Sequence, residues 1–228
     1  MEASSRLTVV EAAARLGVSA DAVRKRIAAG QLPAQRRGRQ WWIDARAVDR
    51  LARQRPGQGR PLSPKMAWAV LLLASGEDTA AGRAVHGARY RSRIHEWLGS
   101  HSLVEHSSSL RARADAEEFD AHSSELARIL DRPDALRTGI SAADAVGLVG
   151  GDAAVEIYAP AGARDALVDD HVLEAGPGSL RVRWVRDDIW PLLNRDHNGR
   201  APRAAVLLDL LEHDDPRARR EAARALER

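Results

Sequence analysis

The chain has 228 residues, 44% of them hydrophobic and none of them cysteine, enough for one large domain or two smaller ones with separate cores. The lack of cysteine excludes disulfides, Cys-type zinc fingers, iron–sulfur clusters and cysteine nucleophiles, and suits a reducing compartment. Residues 1–60 hold 13 basic and 5 acidic side chains, the remainder 22 basic and 27 acidic, so a basic head on a mildly acidic body points to a polyanion as the head's partner.

Only Lys25 and Lys65 are lysines, so a general preference for arginine explains the residue type but not the asymmetry. The opening "MEASSRLTVVEAAARLG" has no apolar stretch behind a basic start and does not read as a signal peptide. The longest apolar run, "MAWAVLLLA" from Met66 to Ala74, is too short to span a bilayer. A cytoplasmic protein without a membrane partner is expected.

In chain order, Thr8 and Glu11 form a capping-box pattern ahead of a helix through "VVEAAARL", with Gly17 as its stop. Ser19 caps a second helix, "ADAVRKRIAAG", across the short "GVS" turn, and two short helices so joined form a helix-turn-helix unit. Pro33 ends further helix. "LPAQRRGRQWWI" reads as a hairpin tipped by Gly38, and Asp44 opens a third helix, "ARAVDRLARQ". "RPGQGRPLSP" (Arg55–Pro64) reads as a linker.

Beyond it, Ser63 and Pro64 occupy the N-cap and N1 positions of "KMAWAVLLLASG". The stretch from Glu77 to Phe119 gives no clear pattern, except that "RYRSRIHEWL" reads as a helix with Tyr90, Ile94 and Trp97 or Leu98 on one face. "SSELARIL" follows His122 as a capped helix, and Ser141 is expected to cap "AADAVGL". "AVEIYAP" and "SLRVRWV" read as strands with the helix "DALVDDHVL" between them, and two helices split at Pro216 close the chain. The fold class is therefore mainly α with small β elements, an N-terminal winged helix-turn-helix plus a C-terminal α+β domain. The expected boundaries are 1–54 for the head, 55–63 for the linker and 64–228 for the body.

At about 100° per residue, Val23 and Ile27 define the buried side of the second helix. Asp21, Arg24, Lys25 and Ala28 then face outward, with Arg26 at the flank. Two cations beside a small residue suit a recognition helix in a major groove, and Ser19 is placed to donate to a phosphate. In the hairpin, alternation puts Trp41 and Ile43 on the buried side and Trp42 outward beside the arginines. Trp42 is thus free to meet a sugar–phosphate strand, a neighbouring protomer or the linker.

The order helix, "GVS", a second helix with "VRK", "GQLP", a basic Gly-tipped wing, then an aromatic and "ID" resembles the excisionase or MerR-type winged helix-turn-helix family over residues 7–54. That resemblance implies that Arg24 and Lys25 read the major groove, while Arg36, Arg37 and Arg39 lie along phosphates or in the minor groove. Further on, "RPLSPKMAWAVLLLASG", "TGISAADAVGL", "VEIYAPAG", "LRVRWV" with a following "WP", and "APRAAVLLDLLEHDDPRARREAARAL" are similar in order to the body of actinobacterial AbiEi-family antitoxins. This implies a repressor of its own operon, paired with an AbiEii-like nucleotidyltransferase toxin. The head departs from the winged helix usual in AbiEi proteins, so their operator geometry does not transfer.

Catalytic patterns are missing from the sequence. "GLVGGDAA" lacks a following "GK[ST]" and falls between a helix and a strand, so it reads as a turn rather than a phosphate loop. "GSHSLVEH" has a Gly-Ser without the carboxylate pair of a nucleotidyltransferase. His101 and His106 would lie about 140° apart on a helix, unsuited to sharing a metal. The other histidines are scattered. Asp169–Asp170, Asp187–Asp188 and Asp214–Asp215 are adjacent pairs that diverge on any regular element, and Ser107–Ser109 has no partnering His or Asp at a recognisable spacing. The expectation is a non-enzymatic, cofactor-free DNA-binding regulator that binds double-stranded operator DNA as a homo-oligomer on repeated half-sites. An excisionase-type recombination directionality factor and a ligand-responsive MerR-like regulator are the alternatives.

Overall fold

Local caps start and stop the helices of the first unit. Thr8 accepts from the Glu11 N–H while the Glu11 carboxylate takes the Thr8 N–H at 2.7 Å, a complete capping box that opens α1 (Val9–Leu16). Gly17, at φ 51°, closes it in the left-handed region where a side chain would be strained. Ser19 accepts from the Ala22 N–H at 3.2 Å and opens α2 (Ala20–Ala28). This computed structural model describes residues 6–29, 32–38, 40–53, 61–85, 88–148, 154–193 and 199–227, with the main chain alone at 46, 50, 52, 53 and 88.

The chain divides into two compact units, residues 1–55 and 56–228. In the first, β1 (Arg6–Leu7), β2 (Ala34–Arg37) and β3 (Gln40–Asp44) form an antiparallel sheet in the order β1-β3-β2, and α3 (Ala45–Arg53) follows directly. Val9, Ala12, Leu16, Val23, Leu32, Ile43 and Val48 make its core. Each buried Leu, Ile or Val contributes roughly 1.5–3 kcal/mol, so this small unit has little stability in reserve. Arg15 binds Asp49 through Nε at 2.6 Å and Nη2 at 3.0 Å, a two-point clamp between α1 and α3.

The second unit is α+β. Ser63 and Pro64 open α4 (Pro64–Ala74) as N-cap and N1, and Ala67 to Leu72 are all buried, as a helix apolar on every side must be. The unclear stretch contains α5 (Asp78–Ala84), α6 (Ala88–Ser100), a 3-10 helix (Ser107–Arg113) and β4 (Asp115–Asp120). Ile94 is buried and Trp97 and Leu98 are partly covered, but Tyr90 is 47% exposed. It belongs to the first turn of α6, before the helix reaches the core, which corrects its expected place on the buried face. After α7 (Ser123–Leu130) come β5 (Leu136–Arg137), a 3-10 helix (Gly139–Val146) and β6 (Val155–Pro160). Then follow α8 (Arg164–Asp170), β7 (Glu174–Ala175), β8 (Leu180–Val185) and α9 (Trp190–Leu193). α10 (Arg203–Glu212) and α11 (Pro216–Leu226), capped by Asp215 ahead of Pro216, close the described chain. Ser141 does not cap a helix; its Oγ accepts the Glu156 N–H at 2.9 Å and ties the 3-10 turn to β6.

The sheet order is β5-β6-β8-β4-β7, with β6 and β8 parallel through α8 and the other pairs antiparallel. Strand alternation sorts its two faces. Val155, Ile157, Ala159, Leu180, Val182 and Trp184 join one apolar cluster with Ile129 of α7 and Leu167 of α8. Tyr158 and Val185 join the other cluster, with α4 and α10.

The second face also buries charge. Arg113 donates to Asp209 at 2.5 Å, Glu212 at 2.9 Å and the Tyr158 hydroxyl at 3.0 Å, while Thr138 donates to the second Asp209 oxygen at 2.5 Å. Arg183 lies 3.3 Å from Asp209, 2.9 Å from Glu212 and 3.7 Å from Glu156. Its Nε and Nη2 and Glu156 Oε2 nonetheless make no hydrogen bond, so the attraction there lacks a directional component. Burial pushes the Glu212 carboxyl up, but Arg183 and Arg113 outweigh it and hold the group down at about 2. Burial dominates at Glu156, which is raised to about 7 despite Arg183 and Arg181.

Candidate nucleic-acid interface

The first unit presents its cations on two adjacent pieces of backbone. On α2, Val23 is fully buried and fixes the helix's rotation, so Asp21, Arg24 and Lys25 come out exposed and Arg26 and Ile27 half-buried at the flanks. Ser19 stands at the helix start, exposed, with its oxygen engaged by the Ala22 N–H and its own hydrogen available to a phosphate. Arg24 Nη1 rests 2.6 Å from Asp21, both side chains more than half exposed. An exposed i,i+3 pair is worth only about 0.2–0.5 kcal/mol, so Asp21 steers the guanidinium without competing seriously with a guanine edge. Arg26 is different: its Nη1 is buried and makes no hydrogen bond.

The wing follows from the register of the hairpin. Ala34 faces Ile43, Gln35 faces Trp42, Arg36 faces Trp41 and Arg37 faces Gln40. Ile43 is fully buried and Trp41 is half-buried against the same core. The Arg36 guanidinium carbon lies 5.9 Å from the Trp41 ring centroid, so the cation caps the exposed side of the aromatic. Arg36 therefore sits on the Trp41 side of the sheet. Arg37 is exposed on the opposite side, with Gln35, Gln40 and the half-buried Trp42. Gly38, at φ 63°, makes the turn between the arms, a conformation that favours glycine. Arg39 lies outside the described residues, as do the side chains of Arg46 and Arg50.

Arg6 is a contributor that sequence reading missed. Its strand is two residues long, too short to show alternation, yet it pairs opposite Asp44 and donates to Gln35 at 3.2 Å. This puts a second exposed cation, with Arg37 and beside Trp42, on the outer face of the sheet. Arg24 and Lys25 on the helix and Arg6, Arg36 and Arg37 on the strands give a helix sized for a major groove and a basic ribbon for phosphates.

In the second unit, His101 and His106 correct their expected separation. The helix ends at Ser100, the chain turns back, and the two rings come together with centroids 4.5 Å apart; His101 stacks on Trp97 at 4.8 Å. Nδ1 of His101 lies 3.0 Å from the Trp97 carbonyl and Nδ1 of His106 lies 3.2 Å from the Ser102 carbonyl. Among the described residues no group of three or more His, Asp or Glu side chains is arranged to hold a metal. The residues of "GLVGGDAA" from 149 to 153 lie outside the described residues. No described helix is long and apolar enough to cross a membrane.

Comparison with protein families matches residues 6–56 to a helix-turn-helix domain family. Comparison with curated proteins and with solved structures returned no match. Cations on the second helix and on the hairpin, within the matched span, support a DNA-binding regulator. Residues 6–56 of this chain form a helix-turn-helix domain.

Proposed function

We propose that this chain is a sequence-specific transcriptional repressor that serves as the antitoxin of a toxin–antitoxin operon and has no catalytic activity of its own. The observation that carries the DNA-binding part is the exposed arc of Asp21, Arg24 and Lys25 on a helix whose opposite side is locked into the core by Val23. Phosphate neutralisation by Arg6, Arg36, Arg37 and Arg39 supplies most of the affinity, and Arg24 and Lys25 supply the reading of bases. One unit of this size contacts few base pairs, so several protomers occupy half-sites about 10 bp apart.

The antitoxin part rests on the order of body motifs similar to AbiEi-family antitoxins, and it names an AbiEii-like nucleotidyltransferase toxin as the protein partner. The acidic body, with its own core, is the part assigned to neutralisation. The test is co-expression with the adjacent gene. The full chain should restore growth and silence a reporter driven by its own promoter. The Arg24→Glu, Lys25→Glu double variant should lose silencing while keeping protection. A neighbour that does not impair growth, or toxicity that the full chain does not relieve, contradicts the antitoxin assignment.

A further inference from the structure

We propose that the exposed arc of α6, with Arg83 of α5, is a second duplex-contacting surface, which grips the phosphate backbone beyond the segment read by the helix-turn-helix. It rests on the reading that the head binds duplex DNA.

Between Arg83 and Ser100 stand Arg83, Arg89, Arg91 and Arg93 against a single acid, Glu96. The rest of the body from residue 61 onward is acidic in balance, with 18 basic and 26 acidic side chains. Elsewhere in the body arginines are typically neutralised at short range: Arg113 by Asp209, Arg128 by Glu125, Arg132 by Asp134, Arg164 by Glu117 and Arg181 by Glu118. Arg83, Arg89, Arg91 and Arg93 have no ion pair or hydrogen bond among the described residues, and all four are exposed. Asp78 of α5 lines a pocket with Arg91, but among the described residues no carboxylate pairs with any of the four, which keeps a local positive field there.

Placement on the helix adds to this. Ile94 is buried and sets the inward direction of α6. At about 100° per residue, Arg91 stands about 60° from Ile94, on the side of Gly82 of α5, and Arg93 borders the outward arc. Arg89 lies within it one turn before Arg93, about 6 Å along the axis. Gly99 also falls inside the arc and leaves room for close approach. Tyr90, 47% exposed in the first turn, is the aromatic in this stretch left uncovered and can lie against a sugar. Exposed arginines with no acidic partner among the described residues suit the repeated charges of a phosphate backbone better than a single carboxylate. The occupant is duplex DNA rather than an acidic protein, because the same chain carries a DNA-binding domain that raises the local concentration of DNA around the body.

The experiment uses the full-length chain and two duplexes carrying the site it enriches from a random library, one trimmed to the 20-bp core and one extended to 40 bp. The variant is Arg89→Gln, Arg91→Gln, Arg93→Gln, three exposed changes whose retention of fold is checked by thermal unfolding. On 40 bp the variant should bind at least tenfold more weakly at 0.15 M salt. Its salt slope should be shallower by about 2 to 3, close to 0.9 for each phosphate no longer neutralised. On the core the two proteins should bind alike. Equal affinity and slope on the long duplex would overturn the proposal while leaving the head's role intact. Poly-glutamate held by the wild type but not by the variant, with equal DNA binding, would reassign the patch to an acidic protein. Wild type that binds neither duplex would remove the underlying DNA reading, and the proposal with it.

Discussion

The two units use the same side chain in opposite ways. In the head, Arg36 and Arg37 are exposed with no acidic partner among the described residues, and even the paired Arg24 is held only by an exposed, weak contact with Asp21. In the body, Arg113 and Arg183 are almost wholly buried and belong to a lattice of Asp209, Glu212 and Glu156 behind the sheet. Arginine content therefore says little about function until pairing is known. An unpaired exposed cation remains available to a polyanion, whereas a buried paired one holds a fold together. By that criterion α6 groups with the head, although it lies in the acidic unit.

The largest expected effect tests the structural half of the contrast. Asp209→Ala strands Arg113 and Arg183 without their shared carboxylate and should cost the body about 3–5 kcal/mol. Denaturant unfolding would show this as a shift of the body's transition while the head's stays in place. A shift below about 1 kcal/mol would mean that the lattice is not what its geometry implies.

The two adjacent tryptophans sharpen the contrast inside the head. Trp41→Ala opens a half-buried position in a small core and should cost roughly 2 kcal/mol, enough to unfold much of the unit. Trp42→Ala, on the outer face, should leave the melting temperature nearly unchanged and weaken operator binding by roughly tenfold, about 1.4 kcal/mol. Thermal melts and binding isotherms of the two variants should therefore rank in opposite orders.

A smaller effect follows from Glu156. Its carboxyl titrates near 7 in the folded chain and near the ordinary 4.5 unfolded, so between these values the folded state holds the extra proton. Its contribution to stability is fully present below about 4.5 and is lost as pH rises through about 7. Glu156→Gln, which keeps the shape without the charge, should raise stability at pH 8 by on the order of 2 kcal/mol and flatten that part of the pH profile. An unchanged profile would place the charge elsewhere.

Much of this architecture was legible because caps are local. Thr8 with Glu11, Ser19, Ser63 with Pro64, and Asp215 with Pro216 each mark a helix start within a few residues of the groups they satisfy. What was hidden depends on distant partners. β4 reads "DAEEFD", an unpromising strand, and holds because Glu117 meets Arg164 and the Trp184 indole while Glu118 meets Arg181. β1 has meaning only opposite β3, so Arg6 could not be placed from its neighbours. His101 and His106 meet because the helix stops at Ser100, just before both, which a wheel drawn through them cannot show. On α2 the wheel worked, since one buried residue, Val23, fixes the whole outward face.

The most direct measurement of the account is a salt titration of operator binding by the wild type and the Arg24→Glu, Lys25→Glu variant, followed by fluorescence anisotropy. The account predicts at least a hundredfold loss of affinity and a salt slope shallower by about 2, with the far-ultraviolet dichroism unchanged. A double variant that binds the operator like the wild type, with the same slope, would contradict the assignment of α2 as the helix that reads DNA.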